Sequence, residues 1–469
     1  MDRFREECGI VGIFGHPEAA NLAYLSLYAL QHRGQESAGI VSAKDDILIA
    51  HRGLGLVADV FKEEIIRKLE GLAAIGHNRY STSGQTLLKN TQPFVVEYAG
   101  GGLAVAHNGN LVNAVELRER LRRNGAIFQS TVDTEVVIHL MATADGGRTV
   151  DRIIAALSEV RGAYSLVFLT PEELIAVRDP NGFRPLVFGR IKDTVVVASE
   201  TCALDLIGAT YEREIEPGEV LRVTTAGLES FRPFPAAPRT SCVFEYVYFA
   251  RPDSRVYDRN VYEVRKQLGR QLALEQPAAA DIVIPVPDSG VPAALGFAEQ
   301  SGLPFEMGLI RNHYVGRTFI EPQDAIRNFG VKIKLNAQAE VLSGKRVVVV
   351  DDSIVRGTTS RKIVNMVRNA GACEVHVRIS SPPTVGSCFY GVDTPTIEEL
   401  IASANPVESI RQYLTADSLG YLSERGMYSF LKPGERDGFC AACFTRRYPV
   451  PDTDHGRTHQ LLLFEARDR

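Results

Sequence analysis

Val347, Val348, Val349 and Val350 are four β-branched residues in a row, a run that suits a strand buried on both faces. Asp351 and Asp352 follow at its carboxyl end. Ser353, Ile354, Val355, Arg356 and Gly357 make a short loop with one glycine, and a helix opens near Thr358, Thr359 and Ser360. In a doubly wound parallel sheet, ligands bind beyond the carboxyl ends of the strands. A loop of this kind aims backbone N–H groups at a phosphate, and the helix N-terminus adds a favourable dipole. Two adjacent carboxylates can hold sugar hydroxyls and a magnesium ion. The layout fits a phosphorylated ribose better than a general nucleotide.

The same rhythm runs through the second half of the chain. Strands at 281–286, 347–350 and 375–379 alternate with helical stretches, which predicts a parallel sheet. The first half reads differently: short strands at 9–15, 39–41, 47–50, 73–76, 103–106 and 166–169, with an amphipathic helix at 20–30, predict an α+β or layered sandwich domain. Between them, Arg232, Pro233, Phe234, Pro235 and Pro238 fall in a weakly patterned, proline-rich stretch that reads as a seam. The expected division is therefore 8–235 and 236–449, with a short leader at 1–7 and a polar tail at 450–469.

A length of 469 residues allows two or three domains, and a net charge of −5 with no basic tract gives no reason to expect a nucleic-acid partner. The leader lacks an apolar core, and no apolar run reaches the roughly 20 residues of a membrane span. Seven cysteines, an odd number at uneven spacing, argue against a secreted disulfide framework. These features together predict a cytoplasmic protein.

Three further segments bear chemistry. Val286, Pro287, Asp288, Ser289 and Gly290 end a strand in a tight turn before helical residues, which by itself is ordinary turn chemistry. Residues 311–320, with Arg311, His313, Tyr314, Arg317 and Phe319, are cationic and aromatic; they suit either an exposed basic loop or a lid over an anionic substrate, with Lys332 and Lys334 extending the positive surface. Cys8 would carry a free α-amine if the seven residues before it were removed. An α-amine has a pKa of about 7.7–8.0 and can act as base for its own thiol.

The segment 347–360 resembles the phosphoribosyl diphosphate (PRPP) loop of type I phosphoribosyltransferases. By that resemblance Asp351, Asp352, Ser353, Val355, Arg356, Gly357, Thr358, Thr359 and Ser360 bind PRPP. Asp288, Ser289 and Gly290 form the pyrophosphate loop, and Ser289, Asp351 and Asp352 hold magnesium (Mg2+). The resemblance also favours the lid reading for Tyr314 and Arg317. In the first half, Cys8 with Gly9, then residues 31–39, 76–82, 107–110 and 132–135, resemble in order the N-terminal-nucleophile glutamine amidotransferases. This implies Cys8 as nucleophile, Asn108 and Gly109 as oxyanion hole, Arg79 on the glutamine α-carboxylate and Asp133 on its ammonium. Thr82 would lie in the glutamine loop and Arg33 would orient the site.

Cys440 and Cys443 form a C-x-x-C pair, and Cys242 and Cys388 lie elsewhere. Four thiolates could hold an iron–sulfur cluster or zinc, and the pair alone could be a redox dithiol. Taken whole, the chain resembles the glutamine PRPP amidotransferases in their iron–sulfur subgroup, which implies a 4Fe–4S cluster on these four cysteines, acting as a cross-domain staple. Cys202 and Cys373 are then structural thiols. The family implies ammonia transfer from glutamine to PRPP, inhibition by purine nucleotides and a homotetramer. Glucosamine-phosphate synthases and asparagine synthetases would share only the first half. A non-catalytic PRPP-sensing regulator would lack the intact glutaminase residues present here.

Overall fold

The computed structural model describes residues 8–80, 87–145, 147–312, 335–432 and 434–451. Two antiparallel sheets build the first half. The first contains β1 (Gly9–Phe14), β2 (Ser37–Lys44), β3 (Ile47–Leu54), β4 (Ala73–Arg79), and, further along the chain, Val187–Ile191, Thr194–Ala198 and Thr210–Glu214. The second contains β5 (Phe94–Tyr98), β6 (Gly101–Leu111), β7 (Gly162–Leu169), β8 (Glu173–Arg178), Val220–Thr224 and Gly227–Phe231.

Ile10, Val41 and Ile75 of the first sheet meet Ala104, Ala106, Val167 and Leu174 of the second in one apolar layer. The outer face of the first sheet packs on the helices Ala19–Ala29 and Thr201–Leu206. That of the second packs on Ala114–Arg123, Thr134–Thr143 and Thr149–Leu157. With both faces of both sheets covered, strands such as β7 and β8 are buried at every residue and carry no polar alternation. The result is the αββα sandwich that the resemblance of the first half to the N-terminal-nucleophile amidotransferases implies.

The second half holds a four-stranded parallel sheet in the order Ile282–Pro285, Arg346–Asp351, Glu374–Ile379, Ser418–Tyr421. Helices Val291–Ser301 and Thr358–Asn369 follow the first two strands. The helix at Thr358 begins where the sequence places it, after Gly357 with φ of +78°. The proline-rich seam carries no helix or strand between Phe231 and Ser241. Past it, Ser241–Cys242 pairs in parallel with Phe439–Cys440, so that Cys242 stands opposite Cys440. Among the described residues no helix is long and apolar enough to cross a membrane.

Candidate active sites

Cys8 sits immediately before β1, buried, with its thiol 3.6 Å from the Tyr80 carbonyl oxygen. Three contacts fix the backbone of Cys8 and the two residues after it. Arg33 Nε donates to the Cys8 carbonyl at 3.4 Å, the Gly9 N–H donates to Asn78 Oδ1 at 2.8 Å, and the Ile10 N–H donates to Ser199 Oγ at 3.0 Å. Asn78 in turn donates to the Leu30 carbonyl at 2.7 Å. Nothing in the sequence distinguishes Asn78 as a positioning residue, because its role depends on a strand pairing, Gly9 opposite Asn78.

Arg79 ends β4, the neighbour of β1, and is almost fully buried. Burial depresses its basicity, while Cys8, Glu36 and Asp133 pull the other way. Asn108 and Gly109 lie on β6. The Asn108 side chain is 1% exposed, and neither its nitrogen nor its oxygen meets a protein partner. A buried amide left unpaired costs about 1–3 kcal/mol, so this one is held ready for something else. Gly109 has φ of +145°, and a Cβ there would stand 2.0 Å from the Ala163 carbonyl oxygen, so only glycine fits.

Asp133 caps the helix Thr134–Thr143; Oδ1 accepts from the Thr134 N–H at 2.8 Å and Oδ2 from the Leu111 N–H at 2.9 Å. Burial pushes its carboxyl up, but His107 and these two N–H groups outweigh burial and hold it below the usual value. It is therefore a carboxylate, suited to an ammonium. Cys8, Arg79, Asn108, Gly109 and Asp133 are thus brought to neighbouring strand and helix ends. Thr82 lies outside the described residues.

At the second site, Pro285 pairs with Val350, so the turn at 286–290 and the loop at 351–357 stand side by side at the carboxyl edge of the sheet. Asp351 and Asp352 are both buried. Asp352 Oδ2 accepts from the Ser353 hydroxyl, whereas Oδ1 is buried with no protein partner. The buried guanidinium of Arg265 faces Asp352; burial pushes it down to about 10 and Asp352 partly offsets this. Gly290 is packed so that a Cβ would meet the Val350 carbonyl oxygen at 2.6 Å. Val355 is buried and its carbonyl accepts from the Ile401 N–H at 2.9 Å, while Arg356 pairs with Glu399 at 2.8 Å. Asp288 pairs with Arg311, where the basic loop begins. Tyr314, Arg317, Lys332 and Lys334 lie outside the described residues.

Cys242, Cys388, Cys440 and Cys443 line one cavity with Phe183, Phe244, Tyr390 and Val392. Burial, then the neighbouring thiols Cys242, Cys388 and Cys440, push the Cys443 thiol well up; burial pushes Cys440 up to about 12. Among the described residues no three His, Cys, Asp or Glu side chains stand close enough to share a single metal ion. Cys202 is buried, as a structural thiol should be; Cys373 is exposed instead, because Ala370, Gly371 and Ala372 carry it around a turn outside the sheet.

Sequence reasoning also missed a buried ionic network at the junction. Arg33 Nη2 donates to Glu245 Oε1 at 2.6 Å, and Arg33 Nη1 to Glu200 Oε1 at 2.5 Å. Arg184 stands 3.5 Å from Glu245. Arg33 is singled out within the 31–39 segment, but its partners Glu200 and Glu245 and the neighbouring Arg184 carry no spacing signal that ties them to it.

Two family models match the chain: a glutamine amidotransferase domain over residues 77–206 and a phosphoribosyl transferase domain over residues 257–380. The molecule is of the class that joins a glutaminase to a phosphoribosyltransferase. The chloroplastic amidophosphoribosyltransferase of Glycine max is 56% identical over 95% of this chain and 79% of its own. The amidophosphoribosyltransferase of Bacillus subtilis (strain 168) is 51% identical over 95% of this chain and 94% of its own. The solved structure of the B. subtilis glutamine PRPP amidotransferase, complexed with ADP and GMP, matches with a TM-score of 0.91 at 50% identity, covering 95% of this chain and 98% of that one.

The chain belongs to the amidophosphoribosyltransferase family. Its reaction takes glutamine, PRPP and water to 5-phosphoribosylamine, glutamate and pyrophosphate, the first step of de novo purine biosynthesis.

Proposed function

We propose that Cys8, freed of residues 1–7, attacks the glutamine amide while Arg79 and Asp133 hold the α-carboxylate and α-ammonium. The unpaired, buried Asn108 amide carries this reading: together with the Gly109 N–H it supplies donors where the tetrahedral oxyanion forms. Arg33 fixes the nucleophile's carbonyl rather than reacting. Ammonia passes inside the protein to the second site. There the loop 351–360 seats the ribose phosphate, and Asp351 and Asp352 hold ribose hydroxyls. Ser289 and the two aspartates would hold Mg2+, which neutralises charge on the departing pyrophosphate. The test is pyrophosphate release by the mature protein, whose intact mass should lack Met1–Glu7. Release with glutamine and with ammonia is expected; none with either donor would move the chain to the PRPP-sensing regulator.

The four-cysteine cavity suits a 4Fe–4S cluster. Zn–S bonds of about 2.3 Å would draw four sulfurs tightly around one ion. The four thiols share one cavity, where burial and the neighbouring thiols push Cys443 well up, and the resemblance to the iron–sulfur subgroup favours the cluster over zinc. Cys242, Cys388, Cys440 and Cys443 would hold it, and it would supply cross-links between distant segments rather than catalysis. About four iron and four sulfide per chain are expected. Cys443→Ser should lose both and lower Tm, since metal-site binding energy is folding energy. Stoichiometric zinc in their place would count against the cluster. The same family resemblance supports a cytoplasmic homotetramer inhibited by purine nucleotides.

A further inference from the structure

The loop 388–392 belongs to the second half of the chain, yet it lies directly against the strand that carries Asn108 and Gly109. A methyl placed on Gly391 would stand 3.0 Å from both the Cα and the carbonyl carbon of Gly109 and 3.3 Å from its carbonyl oxygen. Gly391 has φ of +103°, a conformation that also disfavours any side chain. Next to it, Asn110 Nδ2 donates to the Phe389 carbonyl at 2.9 Å, and Arg184 Nε and Nη2 donate to the Tyr390 carbonyl at 2.9 and 2.6 Å. The Tyr390 ring stacks on Phe183 with centroids 4.3 Å apart. Two successive carbonyls of this loop are thus held by side chains from the first half, and the residue after them presents bare backbone to Gly109.

On its other side Gly109 has no room either, because the Ala163 carbonyl occupies the place of a Cβ. The Gly109 peptide is therefore confined between β7 and the loop. We infer that Gly391 is a positioning residue for the glutaminase: its backbone sets the orientation of the Gly109 peptide, and Asn110 pins the loop in place. This rests on the reading of Gly109 as an oxyanion donor. It means that the second half of the chain contributes to the hydrolytic geometry of the first, at a point remote from the PRPP loop.

The test compares Gly391→Ala and Asn110→Ala in the full, mature chain, using glutamine or ammonia with PRPP and magnesium. Gly391→Ala is expected to lose about a hundredfold in glutamine-dependent kcat, the size of one displaced oxyanion donor, with KM for glutamine within about threefold. Ammonia-dependent turnover should stay within about twofold. Alkylation of Cys8 by iodoacetamide, which forms no oxyanion, should proceed at the wild-type rate. An unchanged glutamine-dependent kcat, or equal loss with both donors, would overturn the inference. If Gly391→Ala does not fold, Asn110→Ala decides, since it adds no atoms: a fall of about tenfold in glutamine-dependent kcat alone supports the inference, and a change confined to KM or shared by both donors overturns it. A wild type that uses ammonia but does not hydrolyse glutamine would overturn the underlying glutaminase reading instead.

Discussion

Replacing Cys8 by alanine is expected to cut glutamine-dependent phosphoribosylamine formation by at least about a thousandfold, while ammonia-dependent formation stays near the wild-type rate. The first half of that expectation follows from covalent chemistry. Alanine offers no nucleophile, and the remaining oxyanion donors and binding contacts recover only a small part of what the complete set achieves. The second half follows from the fold. Arg33 anchors the Cys8 carbonyl, Asn78 and Ser199 anchor the backbone N–H groups of Gly9 and Ile10 just after it, and none of these contacts involves the sulfur. Its thiol lies 3.6 Å from the Tyr80 carbonyl oxygen, a long contact for a hydrogen bond. Alanine leaves the anchors in place and removes one atom, so β1 and the parallel sheet of the second half should keep their geometry. The measurement is initial-rate pyrophosphate release with each donor at saturating PRPP. Loss of both activities together would mean that Cys8 serves the fold, and the two-site reading would fall.

How much of this was legible in the sequence depended on whether a feature is local. The PRPP loop could be read because one continuous segment supplies its strand, acids, glycine and helix start, and the structure places the helix at Thr358 as expected. The parallel sheet could be read for the same reason. Strand β8 was harder, since burial on both faces erases the alternation that marks a strand at a surface. The fourth parallel strand, Ser418–Tyr421, is too short and too polar to announce itself. At the sites, the residues that the sequence could nominate were those with a chemical signature: Arg79, Asn108, Asp133 and the paired aspartates. Residues whose role is created by tertiary contact were not among them. Asn78, Glu200, Arg184, Glu245 and Gly391 make their contacts with partners far away in sequence, and no periodicity connects them.

Asp352→Asn should give the reverse of the Cys8 result: pyrophosphate release falls by roughly a hundredfold or more with either donor, while glutamine hydrolysis survives. Asparagine keeps the size of the side chain and can still accept the Ser353 hydroxyl, so packing changes little. What it loses is charge at a buried position. The free oxygen Oδ1 has no protein partner, so in the wild type its desolvation is offset only when substrate fills the site. Each hydrogen bond to a charged group is worth about 1.5–3 kcal/mol, and two such contacts to ribose hydroxyls correspond to a hundredfold or more. A second consequence concerns Arg265. Its guanidinium is fully enclosed and bonded to the Tyr246 and Ala250 carbonyls, and the Asp352 carboxylate helps to keep it charged. Neutralising Asp352 removes that support, so a modest drop in Tm should accompany the loss of activity. Because Arg265 retains both carbonyl partners, the fold should persist and Cys8 should still hydrolyse glutamine. The decisive comparison is glutamate release against pyrophosphate release in the same variant. If both fall in step, Asp352 supports the structure of the whole chain; if only pyrophosphate release falls, the buried carboxylate acts on PRPP itself.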